Sequence, residues 1–356
     1  MPAGKPDTAA QSLDRIILAN FRLYPKPVEV TAIAYGPNPF GTGRLVTIGD
    51  AGAAYSDDGG FTWQTSAFST SFLTRAAYGR PARLNIPQAS MFIFQTGIGT
   101  NPSQLIYTLS GTNQLPFTPP GTITQFLVFP GRDNWVLMGI DATTFYVYEY
   151  DDIGGAGTLV FSTALGNVPG FTGASALYNP VTDSNYIIGV GWTIVNSNAS
   201  IWTLEINDIN YPTTTNLNNV ANLPAVNTDN GTMVIRMRRG PPVATSVFKS
   251  VNGLNFEAVP MPERFISNGG VDIQFGFNNE IFVGMSSNFG EIYMSDDNAE
   301  SFQLLNSPPG VQSAGQYHLL FIKQLEDASV SSPIYSHWVA SFDERIYISD
   351  SIGDLS

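Results

Sequence analysis

The chain contains no cysteine. That removes disulfides, thiolate nucleophiles and cysteine-ligated zinc together. Histidine is almost absent as well, with His318 and His337 the two present in 356 residues. Two histidines without H-E-x-x-H spacing do not make a metal centre. They read as structural residues, and no cofactor or metal is expected. Charge is scarce too: Asp, Glu, Lys and Arg make up 13% of the chain, against a usual ~25%. Lysine is the rarest of these, four against twelve arginines, so the polar surface must be built largely from Ser, Thr, Asn and Gln. The charge that exists is acidic, with a formal net value of −13. Such a chain lacks the electrostatic footprint for phosphate backbones or anionic membranes, so no nucleic-acid partner is expected. The one basic cluster, "RMRRG" at 236–240, reads as a solvated strand end. No run approaches the ~18 apolar residues of a membrane span. The N-terminal "MPAGKPDTAAQS" has no apolar h-region, so no Sec signal is expected.

What the chain does have is 43% apolar residues, 12% aromatics, and 34 glycines and 24 prolines. The glycines and prolines run along its whole length. Aromatics suit sheet surfaces, and dispersed Gly and Pro imply many turns with no Pro-rich linker. One turn recurs. Residues 55–63 read "YSDDGGFTW" and 293–302 read "YMSDDNAESF". Aligned on the serine, Ser56, Asp58, Thr62 and Trp63 meet Ser295, Asp297, Ser301 and Phe302, and Gly60 stands between Asp58 and Thr62 in the first copy. A shorter copy, "FKSVNGLNF" at 248–256, holds Ser250, Asn252 and Phe256, and a worn copy begins at Ser349. Each follows an alternating strand such as "EIYMS" or "RIYIS". The pattern has a local reason. A tight turn needs residues tolerant of positive φ, an Asp carboxylate accepts bonds from the turn's own N–H groups, and a terminal aromatic buries its ring against the neighbouring sheet.

These residues resemble the Asp-box, or BNR repeat, S-x-D-x-G-x-T-W, which the copy at 56–63 matches at every position. The resemblance implies a β-propeller in which the box is a structural turn between the third and fourth strands of a blade, away from the ligand face.

A second ruler agrees. Aromatics close short apolar strands at Tyr35, Tyr78, Phe129, Tyr178, Phe275 and Phe321, in steps of 43, 51, 49, 97 and 46 residues. The double step implies a degenerate copy near 222–230. A fixed period of this size with four strands per unit marks a propeller. The expected fold is therefore all-β: one seven-bladed propeller of four-stranded antiparallel blades. Further outer-hairpin turns are expected near 110, 151 and 207. The chain ends before the last blade's fourth strand, so "RIILANFRLY" at 15–24 is expected to pair with "RIYIS" at 345–349 and close the ring. Its apolar set Ile17, Ala19, Phe21 and Leu23 would face the neighbouring blade. Residues 1–12 would form an N-terminal arm outside a propeller of residues 13–356, with 13–25 completing the last blade.

Chemistry is harder to find. Asp-box propellers include sialidases, but no FRIP segment occurs, "RPARLNIP" at 80–87 does not fit, and the arginines do not fall at corresponding inner-strand positions. A glycosidase needs two carboxylates roughly 5–10 Å apart over a cleft, and no motif points to such a pair. "GGAG" at 154–157 lacks the lysine and helix of a phosphate loop. The doublets Asp57–Asp58, Asp151–Asp152 and Asp296–Asp297 read as turns, since calcium needs roughly 6–8 oxygens. "NAS" and "NGT" read as chance matches to a glycosylation pattern. Three residues before each repeated aromatic stand Ala32, Arg75, Phe126, Ser175, Asp272 and His318. Arg75, Asp272 and His318 are thus candidates to line a polar channel. The expected function is non-enzymatic: a structural or binding propeller, in the form of a phage virion tail, fibre or decoration protein. Its partners would be other virion subunits and a host-surface glycan, and its place the virion. The alternatives are a sialidase-like enzyme and an assembly factor resembling the YCF48 group, which serves photosystem assembly.

Overall fold

The computed structural model describes residues 21–24, 30–37, 43–49, 52–66, 73, 75–79, 91–96, 105–108, 115–130, 134–164, 170–179, 184–192, 199–205, 215–216, 225–226, 232–238, 245–251, 256–263, 273–277, 281–286, 291–305, 317–323, 336–342 and 345–349. Their strands form seven four-stranded antiparallel sheets. We number these I to VII by their innermost strands, in chain order. Those strands are Ala32–Pro37, Arg75–Gly79, Gln125–Pro130, Gly170–Asn179, Ala225–Val226, Ile273–Phe277 and Tyr317–Lys323. In sheets I to VI four successive strands pair first to second to third to fourth. Six of the seven inner strands carry the repeated aromatics. The seventh, Ala225–Val226, lies where the sequence ruler skipped a beat.

Sheet VII is completed from the other end of the chain. Phe21–Tyr24 pairs antiparallel with Arg345–Ser349, in register Phe21 with Ser349 and Tyr24 with Ile346. This is the pairing expected of the N-terminal segment. Residues 1–20, the proposed arm included, lie outside the described residues. The face assignment needs correction: Leu23 is 55% exposed rather than packed on a neighbour. The reason is geometric. Sheets that radiate from a common axis splay apart outward, so their fourth strands have little to pack on.

Inner strands of neighbouring sheets lie side by side from I to IV, from V to VII, and from VII back to I. Face-to-face apolar clusters fill five of these junctions. Ala34, Val46 and Ile48 of sheet I meet Phe92 and Phe94 of sheet II. On sheet II's other face Met91 and Ile93 meet Trp135 and Leu137 of sheet III. Val234 and Val247 of sheet V meet Phe282 and Tyr293 of sheet VI. Val283 and Met285 meet Ala340 and Tyr347 of sheet VII. Ile346 and Ile348 close onto Ile33 and Leu45 of sheet I. Period-two alternation explains the runs. A strand buried on both faces sends successive side chains to opposite neighbours, so "GRLVTIG" of Gly43–Gly49 is buried throughout. The core is thus a set of sheet-to-sheet seams, and the architecture is an all-β propeller.

Candidate functional site

The two well-formed repeat turns are built alike. In the first, Ser56 ends the third strand of sheet I, and the fourth strand starts at Gln64. Gly59 and Gly60 sit at φ 78° and 100°, values that glycine alone adopts cheaply. Gly60 is also crowded: a Cβ there would lie 3.2 Å from Ile348 and from Leu45. The Ser56 hydroxyl donates to Asp58 Oδ1 at 2.7 Å and accepts from the Gly60 N–H at 2.8 Å. Asp58 accepts from the Thr62 N–H at 2.9 Å and from the Thr62 hydroxyl. Trp63 Nε1 donates to the Gly60 carbonyl at 2.8 Å. Its ring, half-buried, packs on the Ile346–Ile348 seam of sheet VII. Arg44, buried under Tyr55, holds Asp57 with both Nε and Nη2, at 2.6 and 2.7 Å.

The second turn repeats this with other residues. Ser295 donates to Asp297 Oδ1 and accepts from Ala299 N–H. Asp297 accepts from the Glu300 and Ser301 N–H groups and from the Ser301 hydroxyl. Asn298 and Ala299 take the positive φ that glycines hold in the first copy. Phe302 is buried among Val234, Val247 and Val259 of sheet V. Both terminal aromatics therefore grip the preceding sheet. An ion cluster crosses the same V–VI seam: buried Lys249 meets Glu257 at 3.3 Å and Glu300 of the repeat turn. Burial alone would lower the Lys249 pKa, but the bonds to Glu300 and Glu257 outweigh it and leave it raised. In the shorter copy Ser250 is buried and Phe256 half-buried. Asn252 lies outside the described residues, as do the expected turns near 110 and 207.

The turn after Tyr150 keeps more of the design than its sequence shows. Asp152 accepts from the Gly154 N–H at 2.9 Å, and Ile153, buried on the II–III seam, takes the place of the aromatic. Four of the six doublet aspartates are thus engaged. Asp57 is tied to Arg44, while Asp58, Asp152 and Asp297 hold their own turns. Among the described residues no group of three His, Asp or Glu is placed to hold a metal.

Burial raises the Asp58 carboxyl, but bonds from Thr62, Ser56 and Phe61 outweigh it and leave its pKa lowered. Asp297 is lowered in the same balance, by Ser301, Ser295 and Glu300. A depressed folded pKa means that the stabilisation is present above the unfolded carboxylate value of about 3.9 and is lost as pH falls through the folded one. The melting temperature should therefore drop more steeply below about pH 4 in the native chain than in an Asp58→Asn/Asp297→Asn double variant. Parallel Tm-versus-pH curves for the two proteins would refute this assignment.

The channel residues fare differently. Arg75 opens the inner strand of sheet II opposite Gln95, and His318 sits on that of sheet VII opposite Ser341. Asp272 lies outside the described residues. The register that grouped them needs correction. Ala32 packs toward sheet II, whereas Phe126 packs back toward the same sheet II from sheet III. Ala32 and Phe126 thus face opposite neighbours, because successive side chains of a strand point to opposite faces, and the side chains of Arg75 and His318 lie outside the described residues. One buried polar residue in this region carried no motif. Gln95 donates from Nε2 to the Val128 carbonyl at 2.8 Å and accepts from the Val128 N–H at 2.9 Å. Its amide serves both backbone groups of one residue on the inner strand of the next sheet.

No family model matches this chain, and no curated protein matches it. Solved structures do. YCF48 from Cyanidioschyzon merolae is similar with a TM-score of 0.56 at 13% identity, covering 93% of this chain and 99% of that one. A structure of YCF48 bound to a D1 peptide gives 0.55 at 14% identity, covering 92% and 94%. The Dos1 propeller gives 0.51 at 9% identity, covering 93% and 95%. At these identities the likeness is one of fold, and it is the likeness of a whole β-propeller.

Proposed function

We propose that this chain is a non-enzymatic binding propeller that works as a subunit of a larger assembly. Its seven sheets are read as one closed seven-bladed ring. The turns at 56–63 and 295–302 are read as Asp-boxes. One observation carries the non-catalytic reading: the polar groups that the repeats place at fixed positions are consumed by the frame. Asp58 and Asp297 hold their turns, Asp57 holds Arg44, and Glu257 and Glu300 hold Lys249 across a seam. A glycosidase needs instead a carboxylate pair facing a cleft. The specific form favoured is a phage virion component, whose partners are neighbouring virion subunits and, at the host surface, a glycan. The Ser/Thr/Asn-rich, lysine-poor composition supports that form. The YCF48 complex with a peptide makes a protein segment a natural partner class for this fold, and a YCF48-like assembly role is the neighbouring reading.

Two measurements test it. Density-gradient fractions of particles should contain this chain by mass spectrometry. The purified chain should not turn over a panel of fluorogenic glycosides that includes sialosides. Glycoside turnover that survives purification and is abolished by one carboxylate substitution would overturn the reading.

A further inference from the structure

The chain contains one Asp–Gly step, Asp58–Gly59, and it lies inside the repeat turn of sheet I. Such a step is open to ring closure, because glycine has no Cβ to shield the attacking backbone nitrogen. The Gly59 nitrogen adds to Asp58 Cγ, and the N–Cγ bond forms. The carboxyl hydroxyl leaves as water with the amide proton. Water then opens the resulting succinimide at the former backbone carbonyl, which leaves Gly59 linked through Cγ as part of an isoaspartyl bond. Water is released and taken up again, so no other reactant is needed.

The folded turn opposes each requirement of this reaction. Closure needs a carboxyl group free to turn toward the Gly59 nitrogen, and an oxygen that carries a proton. Both Asp58 oxygens are instead held as acceptors. Oδ1 takes the Ser56 hydroxyl at 2.7 Å and the Thr62 N–H at 2.9 Å, and Oδ2 takes the Thr62 hydroxyl. Donors on both oxygens fix the plane of the group and favour its charged form. Burial works the other way, yet the bonds from Thr62, Ser56 and Phe61 hold the carboxyl below its ordinary range. Asp58 itself is exposed, so water reaches it, and the bonds rather than burial hold the reaction off.

The product does not refit. An isoaspartyl link adds a methylene to the main chain and leaves the carboxylate directly on Cα, one carbon short of the arm that now meets Thr62. The turn has little slack for the change. A Cβ on Gly60 would already lie 3.2 Å from Ile348 and from Leu45, and Trp63 packs on the Ile346–Ile348 seam.

We propose that Asp58 is a covalent modification site, converted through a succinimide to isoaspartate when the turn at 56–63 opens, and that the product keeps the seam between sheets I and VII from reclosing. The second repeat turn is a control built into the chain. Asp297 is held by the same kinds of bond, but Asn298 follows it, and its side chain hinders ring closure. The proposal stands apart from the assembly role.

The test ages the full chain at neutral pH, well below its melting temperature. Isoaspartate is counted by methylation with an isoaspartyl methyltransferase and located by peptide mapping. Mapping separates it from deamidation at Asn230, Asn252 and Asn268, each followed by glycine. A synthetic peptide of residues 53–66 should isomerise at Asp58 about a hundredfold faster than the folded chain, and Thr62→Val, which removes one donor to the carboxylate, about tenfold faster. Thr62→Ser keeps the hydroxyl, and Gln95→Leu loosens the II–III seam with this turn intact. Both should stay at the native rate, and Asp297 should stay unmodified throughout. The isomerised fraction, separated by chromatography, should melt below the unmodified chain. Equal rates for the peptide and the native chain would overturn the proposal, as would a Gln95→Leu rate equal to that of Thr62→Val. Unchanged melting of the isomerised fraction would overturn the effect on the seam. Should Thr62→Val fail to fold, the ratio of peptide to native chain decides alone.

Discussion

A chain lacking residues 1–24 should be recovered as aggregate rather than as a folded monomer. The truncation removes Phe21–Tyr24, the strand paired with Arg345–Ser349. The new edge would be "RIYIS", whose Ile346, Tyr347 and Ile348 are buried. An apolar edge strand with open N–H and C=O groups is a template for intermolecular pairing. The loss would spread, because Ile346 and Ile348 form the seam with Ile33, Leu45 and the Trp63 ring of sheet I. Loosening that seam undoes the contact between sheet I and the sheet in which the two ends of the described chain pair. Deleting only residues 1–10 should leave a soluble monomer with an unchanged melting curve that joins particles poorly. Soluble yield, light scattering and circular dichroism decide the matter. A soluble 25–356 chain that melts within a few degrees of the full one would mean that ring closure does not depend on this strand.

The sequence could be read this far because a propeller repeats its local rules. The aromatic ruler lands on an inner strand six times, and the skipped beat lands on Ala225–Val226. Orientation was not legible in the same way. A one-residue slip sends a strand's side chains to the opposite seam, and the Ala32 and Phe126 positions, matched on the ruler, face opposite neighbours. The repeat turns were legible where Ser, Asp and the aromatic coincide, as at Ser56, Asp58 and Trp63. After Tyr150 the backbone needs only one carboxylate acceptor and one apolar anchor. Asp152 and Ile153 supply both without matching the pattern. The anchors differ in depth: Trp63 is half-buried, while Phe302 in the same role is buried. Leu23 misled for a related reason: alternation says which residues share a face, but not whether anything covers it.

Gln95→Leu should be among the most destabilising single substitutions in the described structure, although no motif marks the residue. Gln95 ends the second strand of sheet II and is 6% exposed. Its amide supplies a partner to both the N–H and the carbonyl of Val128, at 2.9 and 2.8 Å. Val128 lies on an inner strand, whose second edge pairs with no further strand among the described residues. Leucine fills nearly the same space, so packing changes little. Two buried backbone groups lose their partners, at about 1–3 kcal/mol each, and the summed loss should be about 2–6 kcal/mol in urea unfolding. Thr31→Val provides a control. Its hydroxyl donates to Ile48 and Leu73 carbonyls at 3.0 and 3.3 Å, but the Ile48 carbonyl already accepts from the Thr31 N–H at 2.7 Å. That change should cost under about 1 kcal/mol, the net value of an ordinary hydrogen bond. Gln95→Glu separates bonding from shape. The ionised carboxylate still accepts from the Val128 N–H, but its other oxygen faces the Val128 carbonyl with no proton to give. Burial and that repulsion raise its folded pKa above the unfolded value, so its protonated form is the one that fits. The variant should regain stability relative to the native chain as pH falls and lose it as pH rises through the folded pKa, opposite in sign to Asp58 and Asp297. Equal stability of Gln95→Leu and Thr31→Val, or a Gln95→Glu difference that does not change with pH, would show that the amide does not hold the two sheets together.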